Sequence, residues 1–320
     1  MKYEKQERDR RTSNFARQSR AGPEEFTNTT GMLMISIAAG SFQMGSSKAA
    51  DGSSDDDERP RHKVVIGRPF YMAAHKVTQA QFANVLGRRP SWFSATSGGG
   101  ETVAGIDTER ERFPVECVSN FDAIEFCIEL SKREGLRPCY EMSTISRAHG
   151  KDGEGADVKV LPDGTGYRLP SEAEWEYCTR AGSPAGPATR YWFGDDASRL
   201  GEHAWFRENS DGRTHPVGEK EANPWGLFDM GGLLFEWCED VWHRNYRNAP
   251  ADGSAWRRLG SSGHVVWGCS SVECVVRGGS WCHSAWFCRS AARFKSEPWC
   301  CNHVGFRVVL SPTFHETTTR

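Results

Sequence analysis

Eleven cysteines are the side chains of this 320-residue sequence best suited to redox or metal chemistry. Disulfide frameworks and zinc sites need cysteines at paired spacings, and no two cysteines here are separated by just two residues. The number is odd, so at least one cysteine has no partner within the chain, and the adjacent Cys300 and Cys301 are the one unusual arrangement. Cys127, Cys178 and Cys238 lie within apolar patterns, which favours free thiols that pack as small hydrophobic side chains.

The last sixty residues mix aromatic, cysteine, histidine and serine side chains without a regular repeat. A half-buried strand would repeat about every two residues, and a helix about every 3.6. This mixture, between glycine-rich motifs, is typical of a binding surface, where rigid aromatic rings supply contact area and small polar groups adapt around them. We define residues 264–304 as the display segment and predict that its ligand-binding side chains are Trp267, Cys269, Cys274, Cys282, His283, Ser284, Trp286, Phe287, Phe294, Lys295, Ser296, Glu297, Trp299, Cys300, Cys301 and His303. The alternative is an irregular, aromatic-rich core.

The composition is that of a soluble globular protein, with 38% apolar and 26% charged residues and a formal net charge of −2. Because there is no broad basic field, we expect no nucleic-acid partner. No stretch approaches the ~20 apolar residues of a transmembrane helix. Residues 1–30 lack the apolar core of a secretory signal, which predicts a cytoplasmic protein, or one at the cell surface or secreted if a targeting segment was removed. Their polarity predicts a disordered tail before one domain over residues 31–320.

The helices that must position these side chains are predicted in the first half of the chain. Thr78 can cap one helix, and Ser119 or Asn120 can cap a second. Ser171 and Glu174 have the spacing of a capping box, which predicts the start of a third. The second half consists of short apolar pieces between Gly, Pro, Asn and Asp. The pattern therefore predicts an α+β domain with few short helices, short strands and much irregular loop.

Short motifs in a fixed order between residues 40 and 310 resemble the formylglycine-generating enzymes, also called sulfatase-modifying factors. They lie at 40–45, 58–64, 77–82, 114–115, 166–177 (GYRLPSEAEWEY), 223–230 (NPWGLFDM), 236–240, 277–281 (RGGSW) and 305–308. Each motif is weak alone, but the ordered set is specific. The resemblance implies the C-type lectin-like fold of that family, with Trp175, Trp237 and Trp281 as buried anchors.

The same resemblance bears on catalysis. In the catalytic members, two cysteines after the RGGS-aromatic motif bind copper and perform an oxidation, and soft Cu(I) suits two thiolates. Cys282 and Cys288 lie in this region here. The stretch before Ala291 is several residues shorter than in those enzymes, so Cys288 aligns with neither catalytic cysteine. We therefore predict no catalytic residue, and a copper-dependent formylglycine-generating or related thiol oxidase is the alternative.

Within the family, the display segment resembles the variable proteins of diversity-generating retroelements, many of which vary a C-terminal segment on such a scaffold. Asn codons in their templates commonly become Ser, Cys, His or Phe codons, and those residues are abundant here. Trp286, Trp299, Lys295 and Glu297 cannot arise from the usual AAC codon and must be fixed or come from other codons. The resemblance implies a non-catalytic, receptor-like protein, and we expect a monomer with a macromolecular ligand, a protein.

A structural calcium ion is also implied by the resemblance. The enzymes bind calcium across a motif that matches residues 228–237 of this chain. Carried over residue by residue, Asp229 and Glu236 would give carboxylate oxygens, and Gly232 and Leu234 would give backbone carbonyls. Such hard oxygen ligands suit calcium. The alternative is that both carboxylates only cap turns.

Overall fold

Two β-sheets form the framework of the chain in the computed structural model, which describes residues 25–47, 56–94, 97–100, 112–143, 156–182, 189–257, 272–299 and 301–311. The strands are β1 Glu25–Thr27, β2 Leu33–Ile37, β3 Gly40–Met44, β4 His62–Ile66, β5 Phe70–Ala73, β6 Tyr140–Met142, β7 Val158–Val160, β8 Tyr167–Arg168, β9 Phe235–Val241, β10 Cys274–Arg277, β11 Arg293–Ser296, β12 Val304–Gly305 and β13 Val309–Leu310. The helices are α1 Gln79–Leu86, α2 Asn120–Arg133, α3 Glu172–Thr179 and α4 Leu200–His203. Among the described residues, no helix is long and apolar enough to span a membrane.

The two sheets differ in strand direction and in burial. The larger is antiparallel, in the order β1-β2-β5-β13-β8. The smaller has the order β11-β10-β9-β12, and β12 runs parallel to β9. Every residue of β9 is buried, so this strand shows no alternation and lies at the centre of the domain. Two hairpins, β3-β4 and β6-β7, complete the described strands.

The three predicted helices begin at the predicted caps. The side-chain oxygens of Thr78, Ser119 and Ser171 accept hydrogen bonds from the backbone N–H three residues later, at 3.2, 3.1 and 3.0 Å. In each case the side chain at that third position accepts from the backbone N–H of the cap residue, which completes a capping box. These helix starts are therefore set by local sequence.

Order begins earlier in the chain than the sequence predicts. Residues 25–27 were expected in a disordered tail, but they form β1 and pair with β2. The physical reason is Phe26, whose ring packs edge-on against Tyr71 with ring centroids 5.0 Å apart. One aromatic contact and a strand pairing outweigh the polarity of the neighbouring residues. The rest of the predicted tail, residues 1–24, lies outside the described part of the chain.

The three tryptophans predicted as buried anchors differ in burial. Trp175 and Trp237 are fully buried, as predicted for anchors. Trp281 is only half-buried, because it lies in a turn where its ring packs edge-on against Phe93 and its Nε1 donates to the carbonyl of Asn302 at 2.9 Å. The anchor prediction is therefore confirmed for the two tryptophans within α3 and β9 and too strong for the third.

Three buried arginines hold the middle of the display segment, residues 277–293. Arg277 ends β10 and binds Glu172 and Glu176, at 3.0 and 2.7 Å. Arg293 begins β11 and also binds Glu172, at 2.6 Å. Between them, Arg289 binds Glu58 through two hydrogen bonds of 3.0 and 2.5 Å. The backbone of this segment is therefore fixed from below by ion pairs that solvent does not reach.

Candidate functional site

Four predicted ligand-binding residues converge on one buried ring. Phe235, at the start of β9, is 1% exposed, and its ring centroid lies 4.9 to 6.4 Å from those of four side chains. We define the aromatic face as these four side chains, which are His283, Phe287, Phe294 and His303. They come from separate places in the chain: the turn after β10, the 3-10 turn Ala285–Cys288, β11, and the residue before β12. The pairing of β-strands therefore brings together four residues that no regular repeat in the sequence connects.

The rings of the aromatic face also contact one another, and one of them stands out into solvent. Phe287 and Phe294 pack edge-on with centroids 5.5 Å apart, and the two imidazoles lie 5.1 Å apart. Phe294 stacks on Phe235 at 5.6 Å and is 36% exposed, whereas the other three are half-buried. Aromatic pairs in these geometries are favourable beyond the area they bury. The result is a preorganised apolar surface with an exposed phenyl ring.

The polar atoms of the face are uncharged at neutral pH. Burial lowers the pKa of His283 to about 4, and burial also lowers the pKa of His303. Beside them, burial raises the pKa of Cys282. The Nδ1 atom of His283 lies 2.7 Å from the Ser280 hydroxyl and 3.3 Å from the Cys282 thiol. The face therefore offers neutral hydrogen-bonding groups beside aromatic rings.

The other predicted display residues are placed differently. Ser284, Trp286, Ser296, Trp299 and Cys301 are half-buried, and Lys295 and Glu297 are exposed. The ring of Trp286 lies 3.6 Å from the guanidinium of Arg289, which holds the indole against the protein. Lys295 pairs with Glu273 at 2.6 Å on the surface. Trp267, Cys269 and Cys300 lie outside the described residues.

Cys274 corrects the sequence prediction. It was expected at the ligand-binding surface, but it is 3% exposed and packs in the core as the first residue of β10. All four residues of β10 are buried, because β10 lies between β9 and β11 and is covered on both faces. A strand covered on both faces shows no alternation of apolar and polar residues, so the sequence pattern did not distinguish Cys274 from the irregular segment around it.

The two cysteines of the oxidase alternative have different surroundings. Cys282 is half-buried beside Ser280 and His283. Cys288 is buried in a separate apolar cluster with Tyr191, Leu200 and Ala204, and burial raises its pKa to about 12. Both are free thiols.

The residues predicted to bind calcium do not fit that ion. The Nζ of Lys76 lies 2.5 Å from the carbonyl oxygen of Asp229 and 2.6 Å from Oε1 of Glu236. Arg307 and the indole of Trp175 donate to the same carboxylate, at 2.6 and 3.1 Å. Burial alone would raise the pKa of Glu236, but the charges of Arg307 and Lys76 outweigh it and hold this pKa below its ordinary value. Of the predicted ligands, the Glu236 carboxylate is thus already bound by three protein donors, one of them the ammonium group of Lys76.

Another group of potential metal ligands lies on α4 and the loop after it. Side-chain atoms of Glu202, His203 and Glu221 approach within 4.8 Å of one another. Arg199 already pairs with Glu202 at 2.8 Å, and both carboxylates are exposed. We assign no metal to this group.

Sequence reasoning missed two residues that organise the site, Phe235 and Lys76. Phe235 directly precedes the motif at 236–240 and could have been found as the last residue of the apolar run Leu233-Leu234-Phe235. Lys76 precedes the motif at 77–82 and is the one lysine or arginine in the stretch 69–80. The mostly apolar composition of that stretch indicates that it is buried. A lone lysine in such a stretch indicates a buried partner of opposite charge.

Comparison with known proteins identifies the family. A model of the sulfatase-modifying factor enzyme 1-like domain matches residues 19–312. The chain belongs to this family. The fold is therefore the predicted α+β, C-type lectin-like fold of the formylglycine-generating enzyme type.

The proteins that resemble this chain have names that describe different functions. The chaperone protein LppX of Paenibacillus barcinonensis is 30% identical over 227 residues, which cover 66% of this chain and 71% of the relative. The formylglycine-generating enzyme of Mycobacterium tuberculosis is 29% identical over 316 residues, covering 87% and 98%. Treponema denticola variable protein 1, a solved structure, has 26% identity and a TM-score of 0.71, covering 91% and 100%.

Proposed function

We propose that this chain is a non-catalytic ligand-binding protein whose aromatic face contacts a macromolecular ligand, a protein. The observation that carries the proposal is the convergence of His283, Phe287, Phe294 and His303 on Phe235. Interface hot spots are enriched in aromatic side chains within well-packed, desolvated surroundings. Among the described residues, Phe294 is one of only three large apolar side chains that are exposed, and it belongs to an organised cluster.

The framework supports variation of this face. The buried arginines at positions 277, 289 and 293 fix the backbone through partners outside the display segment. Side chains above them can then change without removing those ion pairs. The similarity to a variable protein from Treponema denticola, over 91% of this chain, agrees with a scaffold of this kind.

The two thiols support a non-catalytic role. A thiolate, rather than a thiol, acts as the nucleophile and the metal ligand. Burial raises the pKa of both Cys282 and Cys288, so both are protonated at neutral pH. The placement of Cys288 in an apolar cluster, apart from the Ser280 and His283 side chains that lie beside Cys282, further supports this proposal.

An experiment on ligand capture tests the binding role. A photo-crosslinking amino acid at position 294 should capture a protein partner. The same amino acid at Val65, a residue outside the aromatic face that is 45% exposed, should not.

Phe294→Ala should then weaken the affinity for that partner by at least about 2 kcal/mol, roughly 30-fold, because exposed aromatic anchors are typical hot spots. Phe294→Ala should still unfold cooperatively, because Phe294 is exposed and the rest of the cluster remains packed on Phe235. Equal capture at both positions would contradict the proposal.

A second experiment tests the oxidase alternative directly. Reduced protein supplied with copper and a sulfatase-type cysteine peptide should leave the peptide unchanged in mass spectrometry. The positive control is a formylglycine-generating enzyme treated identically. Conversion of the peptide to an aldehyde, abolished by Cys282→Ser, would establish an enzyme and overturn the non-catalytic assignment.

A further inference from the structure

Lys76 lies at the centre of a fully buried charge cluster. Its side chain and that of Glu236 are 0% exposed, as is Arg307, and Asp229 is 2% exposed. The cluster thus contains two basic and two acidic side chains in a region without solvent. Burying charges is tolerated only where each is paired and hydrogen-bonded, so the lysine cannot be an incidental neighbour of these carboxylates.

The loop that this cluster anchors has an unfavourable backbone. Asp229 and Leu233 have positive φ angles of 55° and 66°, a left-handed conformation that is costly for a side chain as bulky as leucine. Such a conformation persists where contacts around it over-determine the structure. The hydrogen bond from Lys76 Nζ to the carbonyl of Asp229 is one of these contacts, and it joins the start of the loop to the carboxylate of Glu236.

The same loop supports the turn after β10, within the display segment. The N–H of Gly232 donates to the carbonyl of Gly278 at 2.6 Å, and the N–H of Trp281 donates to the carbonyl of Leu233 at 3.0 Å. Glu236 directly follows Phe235, the ring on which the aromatic face is built. Whatever cation holds this loop therefore also holds the base of the face.

We propose that the ammonium group of Lys76 is a built-in replacement for a divalent cation in this loop, so that the chain folds and forms its aromatic face independently of calcium. The Nζ atom bridges a backbone carbonyl and a carboxylate oxygen, which are the two kinds of oxygen ligand that calcium takes. A calcium ion could enter only by expelling the ammonium. With Lys76 present, the oxygens of Asp229 and Glu236 that the ammonium binds are not free for a second cation.

One unpartnered atom shows where an ion would gain a ligand if the ammonium were removed. Oδ2 of Asp229 accepts from the N–H of Gly218 at 2.8 Å, but its buried Oδ1 has no hydrogen-bond partner in the described part of the chain. Removing the lysine side chain would leave the Asp229 carbonyl, on the same residue as this unpartnered oxygen, and a Glu236 oxygen without their ammonium donor. That set suits a hard divalent ion.

The test compares the parent chain with Lys76→Ala, and Lys63→Ala serves as a control because Lys63 is exposed. The parent and the control should show no heat of calcium binding in titration calorimetry and the same melting temperature in EDTA and in calcium chloride. Lys76→Ala should melt at a lower temperature in EDTA, and calcium should raise that temperature. If the variant does not fold in EDTA, refolding in calcium chloride should recover cooperative unfolding.

Three outcomes would overturn the inference. The first is stoichiometric calcium binding by the parent chain with a rise in its melting temperature. The second is a Lys76→Ala variant as stable as the parent in EDTA, which would make the lysine dispensable. The third is a destabilised variant that calcium does not restore, which would mean that the ammonium does not stand at a cation site. None of these readouts depends on the ligand of the aromatic face.

Discussion

Glu172→Ala is expected to lower the free energy of unfolding by about 3–5 kcal/mol, because it leaves a buried charge without its carboxylate. The carboxylate of Glu172 accepts from Arg277 at 3.0 Å, from Arg293 at 2.6 and 2.8 Å, and from the hydroxyl of Tyr246 at 3.0 Å. The charges of Arg293 and Arg277 outweigh the effect of burial and hold the pKa of Glu172 below its ordinary value. Truncation would remove the carboxylate that Arg293, 4% exposed, binds, and would leave Arg277, 0% exposed, with Glu176.

The measurement is urea or guanidinium denaturation followed by fluorescence, with Glu129→Ala as the matched control. Glu129 pairs with Lys132 at 2.8 Å on the surface, where the two side chains are 43% and 58% exposed. Exposed pairs contribute only about 0–1 kcal/mol. If the two variants were equally stable, Glu172 would not be the anchor of the display segment, and the separation between a fixed framework and a variable face would fail.

Trp237→Ala is expected to have an effect of the same size, about 3–5 kcal/mol, for an apolar reason. The indole of Trp237 is 0% exposed within β9, and its Nε1 donates to the carbonyl of Val118 at 3.1 Å. Its removal leaves a cavity in the most buried strand and an unsatisfied carbonyl in the loop before α2. Since whole domains are stable by only about 5–15 kcal/mol, this variant should unfold at a much lower denaturant concentration.

Trp92→Ala is the control for the tryptophan prediction, because Trp92 is 46% exposed. Circular dichroism and denaturation should show a much smaller loss for this variant than for Trp237→Ala. A loss of less than about 1 kcal/mol for Trp237→Ala would fall below the range measured for buried aromatic truncations, and would mean that the core repacks around the missing ring.

Local features of this fold were predictable from sequence, whereas pairings between distant residues were not. The caps at Thr78, Ser119 and Ser171 act within three residues, so the sequence contains all that is needed to place them. By contrast, Arg289 finds Glu58 at a separation of 231 residues. Nothing in a single sequence says which glutamate such an arginine meets, because many carboxylates compete for it.

The candidate site shows the same division. Irregular composition predicted ligand binding for four residues that the structure brings together, His283, Phe287, Phe294 and His303. It also included Cys274, since a strand covered on both faces has no periodicity to distinguish it from a loop. The ring that gathers the four, Phe235, lies about fifty residues earlier in the chain and was brought among them by pairing of β9 with β10 and β12.

The register of β10 and β11 has a consequence for the length of the segment between them. Arg277 and Arg293 are directly opposed in that antiparallel pair, so residues 278–292 form a loop with both ends already held together by the framework. For a flexible loop, closure entropy grows only logarithmically, by about 0.6 kcal/mol for each doubling of length. Insertions within residues 281–287, the half-buried part of this loop, should therefore cost little closure entropy, and this scaffold can vary the size of its binding loop as well as its side chains.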